Sequence, residues 1–299
     1  MFDNILGNEK IKSSLMKSVY SGKYSHSYMF LGVAGIGKKM IAKEFAKMIL
    51  CEDEKPYCNK CKSCLEFDSS NNPDFEEIKP DGNNIKIEQI RQMQRKIVES
   101  PIISSKKVYI IDDADLLTKE AQNCLLKTLE EPPEYAVIIL IGSNESSFLS
   151  TIKSRCLCIK FDSLNKTDIE NFLKNKYELE NVPDSVLEAS QGSIGKAEIL
   201  KDKQELYENI NHIINNLENE DLIDALKLAD LIYKSQDEIK DVLEYINILL
   251  LKKAKENIKY LNSISIVEET KKRLKANSNY NMTIDNMIMT IWEEIHWKI

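Results

Sequence analysis

A short glycine-rich run in the first quarter of the chain has the spacing of a phosphate-binding loop. It reads Gly32-Val33-Ala34-Gly35-Ile36-Gly37-Lys38, the pattern G-x-x-x-x-G-K. The three glycines, Gly32, Gly35 and Gly37, let the backbone turn its N–H groups toward phosphate oxygens, and Lys38 reaches the β- and γ-phosphates. The next position normally carries the Ser or Thr hydroxyl that holds Mg²⁺, but here it is Lys39, and an ammonium group cannot ligate a cation. We therefore expect inefficient hydrolysis; ATP or ADP binding stays open, as does a turn that binds nothing.

Two acidic residues follow an apolar run at the distance expected for the metal-binding half of such a site. Val108–Ile111 leads directly into Asp112 and Asp113. In P-loop ATPases an aspartate at the end of a strand helps to hold Mg²⁺. ATPase motors place a glutamate next to it to polarise water, whereas Asp113 is one methylene shorter, and misplacement of that size slows catalysis strongly. The alternative is a solvated acidic loop, but the position relative to the P-loop favours a degenerate nucleotide site.

Four of the seven cysteines are crowded into one short segment. Cys51, Cys58, Cys61 and Cys64 have the spacing C-x6-C-x2-C-x2-C. Four thiolates at such spacing suit tetrahedral Zn²⁺, and a full set of four protein ligands indicates a structural rather than a catalytic ion. An iron–sulfur cluster or unliganded thiols are the alternatives. The other three, Cys124, Cys156 and Cys158, stand among apolar residues and are expected to be buried packing residues.

Alternating strands and helices would position these residues. Strands are predicted at 27–31, 108–111, 136–141 and 157–161, and helices at 38–50 and after a Thr118 cap up to Pro132. This alternation predicts a parallel sheet with helices on both faces. From about residue 165 the pattern becomes helical, with a break at 191–195, and the remainder resembles a helical bundle that includes Trp292 and Trp297 in its last helix.

Composition narrows the class of protein. The 299 residues have a net charge of −7, which argues against a stand-alone zinc module that coats nucleic acid by charge. No run is long and apolar enough to span a bilayer, and the N-terminus lacks the pattern of a secretory signal. We expect a cytoplasmic protein with no membrane partner.

Together these segments resemble the subunits of bacterial DNA polymerase III clamp loaders. The shared features are the P-loop, the cysteine insertion, and the segments Pro80-Asp81-Gly82, Ile90-Arg91, 107–115, 125–133 and Ser154-Arg155-Cys156. The run LLKTLEEPP together with SRC carries the most specific part of the resemblance. The resemblance implies a RecA-like AAA+ domain at 1–162 with the zinc knuckle at 51–64, a helical lid domain at 163–203 and a helical collar domain at 204–299.

Within that family, the chain is more similar to delta-prime than to the gamma/tau motor subunits. Gamma/tau subunits keep G-K-[ST], an Asp-Glu pair and a G-S-x-R sequence, where this chain has Lys39, Asp113 and Gly195, followed by Lys196. The long extension of tau is also not seen. The resemblance implies gamma/tau and delta partners in a five-subunit ring that loads the sliding clamp onto primer-template DNA. An active gamma/tau-type motor is the alternative.

Two further residues take roles from the resemblance. Arg155 of the SRC sequence is implied to be an arginine finger that points at the neighbouring subunit's ATP; a surface arginine bound to a local carboxylate is the alternative. Asn144 lies near the position of a residue that senses the γ-phosphate, and a simple turn residue is the alternative.

Overall fold

The computed structural model describes residue 2 and residues 5–297 of the chain. The chain divides into two compact units, Met1–Leu164 and Asn165–Ile299. The first unit contains the strands β1 Ser27–Leu31, β2 Phe75–Ile78, β3 Lys107–Ile111, β4 Ala136–Gly142 and β5 Leu157–Lys160. Its helices are α1 Glu9–Tyr20, α2 Lys38–Leu50, α3 Lys62–Asp68, α4 Ile87–Ile97, α5 Lys119–Glu130 and α6 Ser150–Lys153.

The five strands form one parallel sheet in the order β2-β3-β4-β1-β5. In the register, Leu31 lies opposite Gly142, and Ile78 lies opposite Ile111. Because all strands run the same way, the loops that follow them meet at one edge of the sheet. The P-loop after β1, the acidic segment after β3 and the loop after β4 therefore share that edge.

Alternate residues of the central strands enter two separate cores. Phe30, Ile110 and Ile139 face one core, which is completed by α1 and α2. Met29, Ile111 and Leu140 face the other, which is completed by α4 and α5. These strands are buried on both faces, which explains their continuous apolar sequence. The predicted RecA-like AAA+ fold, a parallel sheet with helices on both faces followed by a helical region, is confirmed.

The described part of the second unit contains helices and no strand. Its α-helices are α7 Lys166–Tyr177, α8 Asp184–Ala189, α9 Ile194–Leu200, α10 Gln204–Asn216, α11 Leu222–Tyr233, α12 Ile239–Glu256, α13 Leu261–Lys275 and α14 Tyr280–His296. The rings of Tyr207 and Tyr245 meet edge to face at 5.2 Å between α10 and α12. The division of this unit into a lid and a collar at residue 203 stays a prediction.

Three local expectations need correction. Strand β2 was not predicted, because two of its four residues are glutamates; three of the four are only partly buried, and Ile78 is buried. Cys158 is exposed rather than buried, since β5 is an edge strand, and Cys124 and Cys156 are only partly buried. Trp297 caps the end of α14 and is 75% exposed, whereas the Trp292 indole donates to the Glu220 carbonyl oxygen at 3.0 Å.

No helix among the described residues is both long enough and apolar enough to cross a lipid bilayer.

Candidate functional site

The glycine-rich loop joins β1 to α2 and takes a conformation that glycine favours. Gly35 and Gly37 have φ values of 77° and 92°, where a side chain would be strained. Lys38 begins α2 and is 6% exposed. Its Nζ donates to the Gly32 and Val33 carbonyl oxygens at 2.7 and 2.9 Å. The lysine side chain thus folds back over its own loop. An anion would have to compete with these two carbonyl oxygens for the ammonium group.

Burial and charge act against each other on Lys38. Burial lowers the pKa of its ammonium group, and the carboxylates of Asp115, Asp113 and Asp112 raise the pKa and only partly offset that effect. Its Nζ also lies 3.5 Å from the Ser143 hydroxyl at the end of β4. The loop after β1 and the ends of β3 and β4 are therefore brought together, as the sequence predicted for a site of this fold.

Lys39 turns toward the ends of β2 and β3. Its Nζ lies 2.5 Å from Glu77 Oε1 and 2.8 Å from Asp112 Oδ2. Lys43, one helical turn later, lies 3.0 Å from the other oxygen of Glu77. Burial lowers the pKa of Lys39, but the bonds to Asp112 and Glu77 outweigh it and raise the pKa overall. The ammonium group is therefore charged and bridges two carboxylates of neighbouring strands.

These residues do not fit a magnesium ion. Mg²⁺ requires oxygen ligands in near-ideal octahedral geometry, whereas both oxygens of Glu77 and Oδ2 of Asp112 are already paired with ammonium groups. Lys39 stands in the sequence position of the hydroxyl ligand and offers no lone pair when charged.

Asp113 follows Asp112 but is held differently. Its backbone is left-handed, with φ 48°, where it begins a short 3₁₀ turn. Burial, together with the charges of Asp112 and Asp115, raises the pKa of its carboxyl group. The carboxyl groups of Asp112, Asp113 and Asp115 therefore act on one another at the end of β3.

Asn144 lies in the loop after β4 and uses its side chain locally. Its Oδ1 accepts hydrogen bonds from the Ser146 N–H at 3.0 Å and from the Ser146 hydroxyl at 2.7 Å. It thereby caps the 3₁₀ turn Glu145–Ser147. This bonding matches the turn-residue alternative, and a sensing role for Asn144 stays a prediction.

Arg155 is located away from this cluster, between α6 and β5. Its Nη1 donates to the Thr151 carbonyl oxygen at 2.9 Å, and Nη2 lies 2.5 Å from Glu130 Oε1. Leu157 pairs with Tyr28, so Arg155 stands at the amino-terminal end of the parallel strands, while the P-loop follows their carboxyl-terminal end. Four residues of strand separate the two ends, about 13 Å. Arg155 and the P-loop of the same chain therefore lie at opposite ends of the parallel strands.

The four predicted metal ligands come together in a compact cluster. The sulfur atoms of Cys51, Cys58, Cys61 and Cys64 all lie within 4.8 Å of one another. Cys51 Sγ is 3.6 Å from Cys58 Sγ and 4.0 Å from Cys61 Sγ. A tetrahedral site with metal–sulfur bonds of 2.3 Å would place its sulfurs about 3.8 Å apart. The donor set therefore fits a tetrahedral metal ion such as zinc.

Backbone N–H groups support these sulfur atoms. Cys61 N donates to Cys58 Sγ at 3.3 Å, and Cys64 N donates to Cys61 Sγ at 3.4 Å. A hydrogen bond from the backbone of Lys60, with a smaller effect from the backbone of Cys61, lowers the pKa of Cys58 to about 7. Such bonds favour the thiolate, the form that binds a metal.

The cluster is tied to the sheet by a buried polar network behind α3. Ser63 Oγ lies 2.9 Å from Ser104 Oγ, and Asn72 Nδ2 donates to the Ser63 carbonyl oxygen at 3.0 Å. The Asp74 carboxylate, almost fully buried, accepts from the N–H groups of 102–104 at 2.7–2.8 Å. The insertion is thus positioned by the sheet as well as by its cysteines.

Lys196 follows Gly195, which stands where the G-S-x-R sequence of the motor subunits has its arginine, and its contacts lie within the second unit. Its Nζ lies 2.9 Å from Glu244 Oε2 and 3.1 Å from Asp241 Oδ1. Both partners belong to α12. These contacts supply a structural role for Lys196, and its participation in a nucleotide site stays a prediction.

Sequence reasoning missed Glu77, Ser143 and Glu130. Glu77 belongs to the strand that was not predicted, so its contact with Lys39 had no signal in the local pattern. Glu130 was noted only as part of a motif, although its position at the end of α5 sets it beside Arg155.

Comparisons with known proteins place these features in a family. The model of the family described as "DNA polymerase III, delta subunit" matches residues 7–165. DNA polymerase III subunit delta′ of Bacillus subtilis is 28% identical, covering 95% of this chain and 96% of its own length. DNA polymerase III subunit tau/gamma of Haemophilus influenzae is 33% identical over 68% of this chain, which spans only 30% of that relative.

A solved structure aligns with this chain at low identity. The gamma subunit-related protein of Thermotoga maritima aligns with 96% of this chain and 99% of its own, with a TM-score of 0.49 and 19% identity. The family model covers more than half of the chain, including the P-loop, the cysteine cluster, the acidic strand end and Arg155. The chain therefore belongs to the DNA polymerase III delta subunit family.

Proposed function

We propose that this chain is a delta-prime-type subunit of the DNA polymerase III clamp loader, with an impaired ATPase site of its own. One observation carries the proposal: the Lys39 ammonium lies between Glu77 and Asp112 where the motor subunits hold magnesium. The full-length similarity to a delta′ subunit supports the same assignment.

The partners follow from this assignment. Gamma/tau and delta subunits would complete a five-membered ring, and the chain would reach the sliding clamp and primer-template DNA through that complex. The chain's net charge of −7 suits a subunit that works within an assembly better than one that binds DNA by itself.

Arg155 is the residue through which an inert subunit would contribute to hydrolysis. It stands at the amino-terminal end of the parallel strands, whereas its own P-loop lies at their carboxyl-terminal end. It is therefore positioned for a nucleotide on another subunit rather than for its own. A guanidinium group there would stabilise charge on the transferring phosphoryl group. Glu130 holds the arginine in the isolated chain, and the phosphates of a neighbour would have to compete with that carboxylate.

The cysteine cluster would hold structural zinc. The four sulfurs leave no open coordination position, and the segment around them is largely polar, so the metal would supply much of its folding energy. This role explains why the insertion has four ligands and no residue arranged for catalysis.

An active gamma/tau-type motor is the second candidate. The higher identity to a tau/gamma relative over the shared region favours it, as does the intact G-x-x-x-x-G-K loop. Against it stand Lys39 and Asp113, which replace the metal-binding hydroxyl and the glutamate beside Asp112.

Phosphate release distinguishes the two candidates. The purified, zinc-loaded chain is incubated with Mg-ATP, alone and then with gamma/tau and delta, and a gamma/tau motor subunit serves as the positive control. We expect no turnover above background for the isolated chain, incorporation into the complex, and turnover by the complex. Sustained turnover by the isolated chain would reject the proposal in favour of the motor, and failure to assemble with gamma/tau and delta would reject both.

A further inference from the structure

The ammonium group of Lys39 lies between carboxylates that extend from the ends of two adjacent strands. We propose that Lys39 is the resident cation of the degenerate site, and that the site accepts a nucleoside di- or triphosphate as its magnesium-free anion. The proposed function requires only that hydrolysis be weak. This inference goes further, because it specifies the ionic form of the ligand.

The carboxylates at this edge of the sheet are already neutralised. Glu77 is 11% exposed at its side chain, and its two oxygens face Lys39 at 2.5 Å and Lys43 at 3.0 Å. Lys79 lies 3.4 Å from the same carboxylate. The side chain of Asp112 is 15% exposed and meets Lys39 at 2.8 Å. A divalent ion at Asp112 would therefore stand within a few ångströms of a fixed positive charge.

The wider set of charges gives the same result. Glu77 and three aspartates, Asp112, Asp113 and Asp115, are matched by four lysines: Lys38, Lys39, Lys43 and Lys79. Formally the two sets balance, so the site has no excess negative charge to hold Mg²⁺. A magnesium-bound nucleotide would bring a divalent cation toward Lys39, whereas the free polyphosphate brings only negative charge.

The phosphate-binding half of the site keeps its geometry. Gly35 and Gly37 hold left-handed conformations, and Gly37 forms the start of α2. Lys38 is buried, and its Nζ is held by two loop carbonyls at hydrogen-bond distance. A phosphate oxygen can replace those carbonyls as the partner of Lys38 while the loop N–H groups face it. The chain has thus lost the metal ligand and retained a cation beside the phosphate loop.

The test measures how magnesium changes nucleotide affinity. Zinc-loaded chain is transferred into buffer freed of divalent ions over a chelating resin, which avoids a soluble chelator that would remove zinc. Binding of a fluorescent ADP is followed by anisotropy with and without added Mg²⁺, for the natural chain, Lys39→Ser and Lys43→Ser. Thermal unfolding of each protein establishes that the variants are folded.

For the natural chain we expect binding without magnesium and no gain when magnesium is added. Lys39→Ser frees Glu77 and Asp112 and supplies a hydroxyl, so magnesium should increase its affinity about tenfold or more. Lys43→Ser is the graded comparison, because it removes a cation from Glu77 but leaves Lys39 on Asp112; magnesium should increase its affinity far less than it does for Lys39→Ser. Adding Asp112→Asn to Lys39→Ser should abolish the gain.

Two results would overturn the inference. One is that the natural chain binds the nucleotide only with magnesium, gains affinity from it as Lys39→Ser does, or binds none in either buffer. The other is that Lys39→Ser shows no magnesium dependence. Neither result bears on assembly with gamma/tau and delta, which the reconstitution tests separately, so the two proposals can fail independently.

Discussion

Replacing Arg155 with alanine tests the mechanism by which an inert subunit would stimulate its neighbour. We expect the variant chain to fold and assemble, because the polar contacts of the guanidinium with described residues are to surface groups: the Thr151 carbonyl, the Ser154 hydroxyl and Glu130. Hydrolysis at the neighbouring site should fall strongly, because the charge that stabilises the transferring phosphoryl group is lost.

The structure sets the relative size of the two effects. The side chains of Arg155 and Glu130 are 32% and 48% exposed, and an ion pair so accessible to solvent is worth at most about 1 kcal/mol. An arginine finger is worth about 10³ to 10⁵ in rate, which corresponds to about 4 to 7 kcal/mol. The expected loss of transition-state stabilisation therefore exceeds the expected loss of the ion pair with Glu130 by a wide margin.

The assay is steady-state hydrolysis by the reconstituted complex at saturating ATP, with sizing to verify that each variant assembles. Arg155→Ala should reduce turnover at the neighbouring site by about 10³ or more. Arg155→Lys keeps the charge but loses the planar fork and should recover only part of the rate. Glu130→Gln should change the rate by less than about fivefold. Lys153→Ala removes a cation from the same region and serves as the matched control, with no large change expected.

Two outcomes would refute this reasoning. Unchanged turnover in a fully assembled Arg155→Ala complex would show that the arginine is a surface residue bound to a local acid. A loss for Glu130→Gln as large as that for Arg155→Ala would show that the ion pair is needed to build the interface and that Arg155 acts through it.

Three further predictions concern the metal and the polar contacts of the first unit. Purified chain should contain one zinc ion by metal analysis, and Cys61→Ser should lose it; a full zinc content in that variant would contradict the cluster. Asp74→Asn should reduce the free energy of unfolding by about 3 kcal/mol in a urea titration, because a charged acceptor of three backbone N–H groups is lost; an unchanged midpoint would contradict this. Burial raises the pKa of Glu77, but Lys39 and Lys43 outweigh it and hold it below its ordinary value of 4.5. The contribution of the Glu77 carboxylate to the free energy of unfolding should thus be complete above pH 4.5 and be lost as the pH falls through the lower pKa of the folded state. The natural chain should therefore be more stable than Glu77→Gln at pH 7 and lose that advantage in acid.

Local patterns in the sequence were sufficient for much of the fold. The continuous apolar runs at 27–31 and 136–141 predicted strands that the structure places side by side in the sheet. Thr118 was predicted to cap α5, and its side chain accepts from the Ala121 N–H at 3.2 Å. These features depend on residues only a few positions apart, so the spacing of residue types describes them well.

Contacts between residues far apart in the sequence could not be predicted from such local patterns. The contact of Lys39 with Glu77 depends on the adjacent positions of β2 and β3 in the sheet, and β2 was not predicted at all. The contact of Arg155 with Glu130 depends on the end of α5 meeting the start of β5. The side chain of Asn144 can cap a turn or face a ligand. In this structure it caps the turn, because its Oδ1 accepts hydrogen bonds from Ser146.

The sequence by itself determined that a phosphate loop is followed by a lysine in place of a metal ligand, and that four cysteines lie at metal-binding spacing. It could do so because both motifs are short stretches in which the order of residues largely sets the geometry. Only the tertiary structure decided where the Lys39 ammonium would go and which carboxylates it would neutralise. A long, flexible side chain takes its direction from the charges that the folded sheet brings within its reach, and strand order, not local sequence, sets those charges in place.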